Sequence, residues 1–110
     1  MTDATNLYID GEWVPAEDGE TFAVENPADT SEIVNEYAKG GTEDAEKAVE
    51  AAAAAQDDWE AMPAPDRGAI LREAGKLLEE NKDSLTETLS HEEGKTISEA
   101  APEVQRAIDI

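Results

Sequence analysis

Between Asp66 and Ser90 the apolar residues Ile70, Leu71, Ala74, Leu77, Leu78, Leu85 and Leu89 recur with the spacing of one face of an α-helix. Arg72, Glu73, Lys76, Glu79, Glu80, Lys82 and Glu87 lie between them and belong on the wet side. This stretch organises the chain, and it needs a surface to pack against. Asn81-Lys82-Asp83 offers a division point, because Asn can end a helix and Asp can cap a new one. Gly94 stands as the residue past the second piece. Thr96 or Ser98 caps a last helix, in which Pro102 is expected to introduce a kink or a restart. Val104, Ala107 and Ile108 keep helical spacing up to Ile110 without a stop signal, so the pattern predicts a truncated segment.

Upstream, Thr42 is a natural N-cap, and Glu43 and Asp44 follow where the helix dipole favours negative charge. That helix runs to about Ala61, with Ala45, Ala48, Val49, Ala52, Ala55 and Trp59 tracing one face. Met62-Pro63-Ala64-Pro65 breaks it, and Pro65 suits the first position of the next helix. Before Gly40-Gly41 the chain alternates instead. Leu7-Tyr8-Ile9 and Trp13-Val14 flank Asp10-Gly11, the signature of a type I′ hairpin turn. Pro15 ends the second strand, Asp18-Gly19 makes a further turn, and Thr21–Glu25 forms a third strand up to Asn26-Pro27. Ser31–Ala38 is the fourth. The segment therefore reads as α+β: β-hairpins over 1–41, then three to four helices over 42–110.

Charge changes the picture. With 28 acidic against 8 basic residues, the formal charge is -20. Val, Ile, Leu and Phe number only 18, a composition that borders on disorder at such charge. The long helical stripe and the placed turns argue for folding. Acidic residues are spread over the whole chain, which suits a solvated coat in a salt-rich cytoplasm, where molar salt shortens the Debye length to ~3 Å; the competing reading is a nucleic-acid mimic or a ligand for a basic partner. Nucleic acid is disfavoured as a partner, since nothing here could neutralise phosphates. No apolar run approaches membrane-spanning length, and the N-terminus lacks the basic and apolar regions of a signal peptide. A cytoplasmic location is expected.

Candidate chemistry is sparse. There is no cysteine, and His91 is the single histidine, read as exposed near a helix C-terminus. Glu92-Glu93, like Asp57-Asp58 and Glu79-Glu80, are neighbours on a helix and point about 100° apart, so they do not converge as catalytic carboxylates must. Gly40-Gly41 lies between a strand and a helix N-terminus, where phosphates are held, but lacks the fuller glycine pattern and reads as a linker. No catalytic or cofactor-binding residue is assigned within the segment.

The order of segments resembles the N-terminal part of the aldehyde dehydrogenase superfamily. The resemblance is carried by Leu7-Tyr8-Ile9-Asp10-Gly11-Glu12-Trp13, by Phe22-Ala23-Val24-Glu25-Asn26-Pro27-Ala28-Asp29, and by the helix from Asp44 to Trp59. Arg67-Gly68-Ala69-Ile70-Leu71-Arg72, Glu92-Glu93-Gly94-Lys95 and Glu103-Val104-Gln105-Arg106-Ala107-Ile108-Asp109 complete the series. No single motif is specific; the series is. It implies an α/β fold with a Rossmann-type cofactor domain, of which this segment is the N-terminal part. It also implies a much longer NAD- or NADP-dependent enzyme, homo-oligomeric, that oxidises an aldehyde or semialdehyde to a carboxylic acid. In that family a cysteine thiolate attacks the carbonyl, hydride passes to the nicotinamide, and a glutamate activates water. Those residues and the cofactor segment would lie beyond Ile110, so the segment is expected to be inactive alone and to pack onto the remainder of the chain. The resemblance further implies a structural K+ or Na+ near the strand before Asn-Pro, on the positions Val24, Glu25 and Glu92; some relatives carry Asp where Glu92 stands. The alternative is a self-standing acidic module whose Ile70–Leu89 face docks a partner.

Overall fold

The computed structural model describes residues 5–110. Four strands precede four helices: β1 (Leu7–Ile9), β2 (Glu12–Val14), β3 (Thr21–Asn26), β4 (Asp29–Ala38), α1 (Thr42–Ala61), α2 (Ala64–Glu80), α3 (Lys82–Glu93) and α4 (Ile97–Asp109). The α+β expectation holds, and the organising stretch divides at Asn81 as its sequence suggests.

β1 and β2 pair antiparallel with Leu7 opposite Val14, Tyr8 opposite Trp13 and Ile9 opposite Glu12. Asp10 (φ 53°) and Gly11 (φ 80°) both sit at positive φ, as a type I′ turn demands. The register sets Tyr8 across from Trp13, and their rings meet at 4.9 Å between centroids. β3 and β4 make a second two-stranded sheet.

Contacts divide the chain into two compact units. The first holds the chain up to Val24 together with Ile33–Ala61. Its centre is small and polar. Ala16 is its one buried apolar residue among those described, and beside it the buried Asp44 accepts Gly41 N–H at 2.8 Å and Glu17 N–H at 3.0 Å. Gly19 N–H closes the 16–19 turn on the Ala16 carbonyl at 2.8 Å. Lys39 bonds Glu20 at 3.0 Å, Lys47 pairs with Glu17, and the Phe22 and Tyr37 rings stand 6.1 Å apart. Thr42 proves to be the first helical residue rather than the cap; Asp44, reaching back to Gly41, satisfies the exposed amide instead. On the apolar face of α1 the alanines lie toward β1, while Val49 stays 68% exposed.

The second unit holds Glu25–Glu32 and Met62–Ile110. Pro63 precedes α2, Gly94 at φ 77° closes α3, and Thr96 with Glu99 forms a capping box at the start of α4. Pro102 does not restart α4, which runs as one helix from Ile97 to Asp109. Lying past the first turn, it removes one backbone hydrogen bond that α4 would otherwise make. α4 packs on α3 and α2 through Ala100 and Val104, both buried. Leu78, Leu85 and Leu89 are half-buried, but Ile70, Leu71 and Leu77 remain about half or more exposed, so only part of the face that the periodicity marks as core is covered.

Candidate functional site

Three positions were expected to offer oxygen ligands to a monovalent cation. Val24 and Glu25 are consecutive in β3, the first half-buried and the second exposed. Glu92 lies in the last turn of α3, half-buried, on a groove of about 380 Å³ that Leu78, Leu85, Leu89 and Val104 line within the second unit.

Directly after Glu25 in the chain, the second unit builds a defined corner. Asn26 ends β3 and is buried; its Oδ1 accepts Ala28 N–H at 2.9 Å, which folds the Pro27-Ala28 turn. Its Nδ2 donates to Glu32 at 2.8 Å, so both ends of the amide are satisfied. Asp29 repeats the device, accepting Ser31 N–H at 3.1 Å and Ser31 Oγ at 2.6 Å, and those bonds hold its carboxyl below the usual range. Against this turn stands Gly94. A Cβ there would lie 3.0 Å from the Pro27 Cβ, and φ of 77° already disfavours any side chain.

The loop after Gly94 is fixed by Lys95. Its ammonium lies 2.5 Å from Glu103 and 3.0 Å from Glu93, with only 15% of the side chain exposed. The Glu103 hydrogen bond first, and then that to Glu93, push its amine above the ordinary lysine value. Ser90 Oγ donates to the Lys95 carbonyl at 2.7 Å, tying α3 to the same loop. The corner thus joins the Asn26-Pro27 turn to the Glu93-Gly94-Lys95 stretch.

The Gly40-Gly41 linker does not fit a phosphate. The Asp44 carboxylate already takes the Gly41 amide, and Gly40 approaches Leu7, whose Cδ2 would stand 3.4 Å from a Cβ added there. His91 is exposed in the last turn of α3. Among the described residues no three His, Cys, Asp or Glu side chains group to hold a metal ion. Sequence reasoning missed the polar hub at Asp44 and the Asn26 turn. A Gly followed three residues later by Asp at a helix start, and an Asn before Pro, were the available signals.

The comparisons with known proteins agree with one another. The aldehyde dehydrogenase family matches residues 13–110. An α-ketoglutarate semialdehyde dehydrogenase of Haloferax volcanii is 57% identical over all 110 residues, which is 23% of that relative's length. A malonate-semialdehyde dehydrogenase of Bacillus cereus is 45% identical over 102 residues, 93% of this chain and 21% of its own. Among solved structures, an NAD-dependent benzaldehyde dehydrogenase from Corynebacterium glutamicum superposes with a TM-score of 0.89 at 36% identity, covering 96% of this chain and 23% of that one. A 3,6-anhydro-L-galactose dehydrogenase gives 0.90 at 33% identity, over 94% of this chain and 22% of that one. The chain therefore spans under a quarter of the length of the relatives it matches, and by sequence and fold alike it belongs to the aldehyde dehydrogenase family.

Proposed function

We propose that these residues are the N-terminal part of the cofactor-binding domain of an NAD(P)-dependent aldehyde dehydrogenase, one that oxidises a semialdehyde to a carboxylic acid. The observation that carries this is the family match over residues 13–110, together with 57% identity to a semialdehyde dehydrogenase along the whole segment. The exposed apolar residues of α1 and α2 supply the physical counterpart, since Val49, Leu71 and Leu77 are the kind of surface that further chain covers. The nucleophile, the water-activating carboxylate and the cofactor segment then belong to the rest of the enzyme. This segment contributes scaffold.

The -20 charge and the Haloferax relative support a salt-rich cytoplasm as the working environment. No helix among the described residues is long and apolar enough to cross a membrane. Val24, Glu25 and Glu92 are proposed as oxygen ligands of a K+ or Na+ in the assembled, homo-oligomeric enzyme, with the Pro27–Gly94 contact fixing the loop next to Glu92. Glu92→Gln should then lower thermal stability in KCl more than in a large-cation salt at equal ionic strength.

The test of the main proposal is reduction of NAD or NADP by the longer protein that carries this segment, in molar KCl, across a panel of semialdehydes headed by α-ketoglutarate semialdehyde. Turnover of an aldehyde supports it; absence of NAD(P)-linked oxidation with every aldehyde overturns it. The 110-residue chain alone should show no NAD binding by calorimetry, and micromolar affinity would move the cofactor site into this segment.

A further inference from the structure

Two Asp-Gly pairs stand in the first unit, Asp10-Gly11 at the turn between β1 and β2, and Asp18-Gly19 in the 16–19 turn. Asp before Gly is the pairing most open to backbone rearrangement, since glycine sets no Cβ beside the attacking amide. In sequence the two are near equals. Each is followed by Glu, and both glycines sit at positive φ, 80° and 71°.

Hydrogen bonding separates them. At the second pair both reacting groups are held: Asp18 Oδ1 accepts Glu20 N–H at 2.8 Å, and Gly19 N–H donates to the Ala16 carbonyl at 2.8 Å. Glu20 is fixed in turn, because its carbonyl accepts Lys39 N–H at 2.8 Å and its carboxylate meets the Lys39 ammonium at 3.0 Å. At the first pair neither group is held. Among the described residues no hydrogen bond engages the Asp10 carboxyl or the Gly11 amide. Asp10 is also the one described non-glycine residue at positive φ, a conformation that costs an L-residue energy, so opening the turn releases strain. Beside it lies an open space of about 340 Å³ toward the alanines of α1, into which the tip can rearrange.

We propose that Asp10-Gly11 is a site of spontaneous isoaspartate formation, and that the bonds of the next turn shield Asp18-Gly19 from the same reaction. As the tip opens, the Gly11 nitrogen attacks Asp10 Cγ. A C–N bond forms, the carboxyl hydroxyl leaves with the amide proton as water, and a succinimide ring remains. Water then adds back at one ring carbonyl. Opening at Cγ restores aspartate, whereas opening at the α-carbonyl routes the backbone through the side chain and frees an α-carboxylate. No oxidant or cofactor takes part, and mass and charge end unchanged. The inserted methylene breaks the two-residue loop, and with it the register that sets Tyr8 across from Trp13. At Asp18 the same attack must first break two hydrogen bonds, which slows it by about tenfold or more. The inference rests on these bonds and not on the dehydrogenase assignment, so either can fail without the other.

The longer protein that carries this segment, folded in molar KCl at neutral pH and aged in water enriched in heavy oxygen, tests it. Peptide mapping with electron-transfer fragmentation tells isoaspartate from aspartate at each position, and uptake of label reports ring opening. Isoaspartate at Asp10 should exceed that at Asp18 by about tenfold or more in the folded protein, and the two should come within about threefold in urea. Equal yields in the folded protein, a larger yield at Asp18, or no isoaspartate at Asp10 would each overturn the proposal. So would an excess at Asp10 that persists undiminished in urea, because sequence and not the turn would then be its cause.

Discussion

The two compact units solve the same shortage of apolar residues by different means. In the first, a buried carboxylate does the joining: Asp44 gathers the amides of Gly41 and Glu17, and Lys39 and Lys47 pair with Glu20 and Glu17 around it. In the second, helices meet directly through Ala100 and Val104, and polar groups act at the ends of the elements, as with Thr96–Glu99 and Lys95 between Glu93 and Glu103. Among the described residues neither unit buries a large side chain completely. The contrast shows what determines local robustness when hydrophobic burial is scarce. A polar hub concentrates stability in one residue, whereas a helix interface distributes it.

Substitutions can break or sharpen that contrast, with stability read by urea unfolding in molar KCl. Asp44→Ala should cost the most, about 2–3 kcal/mol, because the Gly41 and Glu17 amides lose the buried, charged acceptor that joins them. A loss under about 0.5 kcal/mol would mean that water replaces the carboxylate and that the first unit has no hub. Val104→Ala should cost about 2 kcal/mol, while the same change at Val49 should stay within about 0.5, since one is buried and the other 68% exposed. Equal costs at the two sites would place a hidden partner on α1. Gly94→Ala should cost about 1–2 kcal/mol through its positive φ and the Pro27 contact.

Thr96→Ala should cost the least of the destabilising changes, about 1 kcal/mol for the lost cap. Here pH adds a sign. The Thr96 hydroxyl, followed by its amide, holds the Glu99 carboxyl below its ordinary 4.5. A carboxyl depressed in the folded state contributes stability above 4.5 that is lost as pH falls through the lower folded value. The gap between Thr96→Ala and the parent should therefore narrow in acid. A gap that widened there would refute the assignment.

Much of this fold was readable from residues whose backbone behaviour is nearly forced. Asp10-Gly11 permits one kind of hairpin turn, and Asn81, Gly94 and the Met62–Pro65 stretch end or start helices for local reasons. What escaped was long-range. That Asp44 would be buried against Glu17, or that Pro27 would rest on Gly94, follows from how elements meet, and periodicity carries no information on that. The organising helix was found by its stripe, yet Ile70, Leu71 and Leu77 remain exposed. Hydrophobic pattern records which face is meant to be covered, not what covers it. The cation ligands expected at Val24, Glu25 and Glu92 rest on resemblance alone, since backbone carbonyls leave no trace in composition.

The seating of Pro27 on Gly94 has a consequence for synthesis. The turn that Asn26 folds leaves the ribosome early, while its support arrives only after α1, α2 and α3 have been made. Until then the nascent hairpin tip must wait uncovered, and the closing of so long a loop sets the pace of the second unit's assembly. A chain that ended upstream of Gly94 would leave the tip without its support.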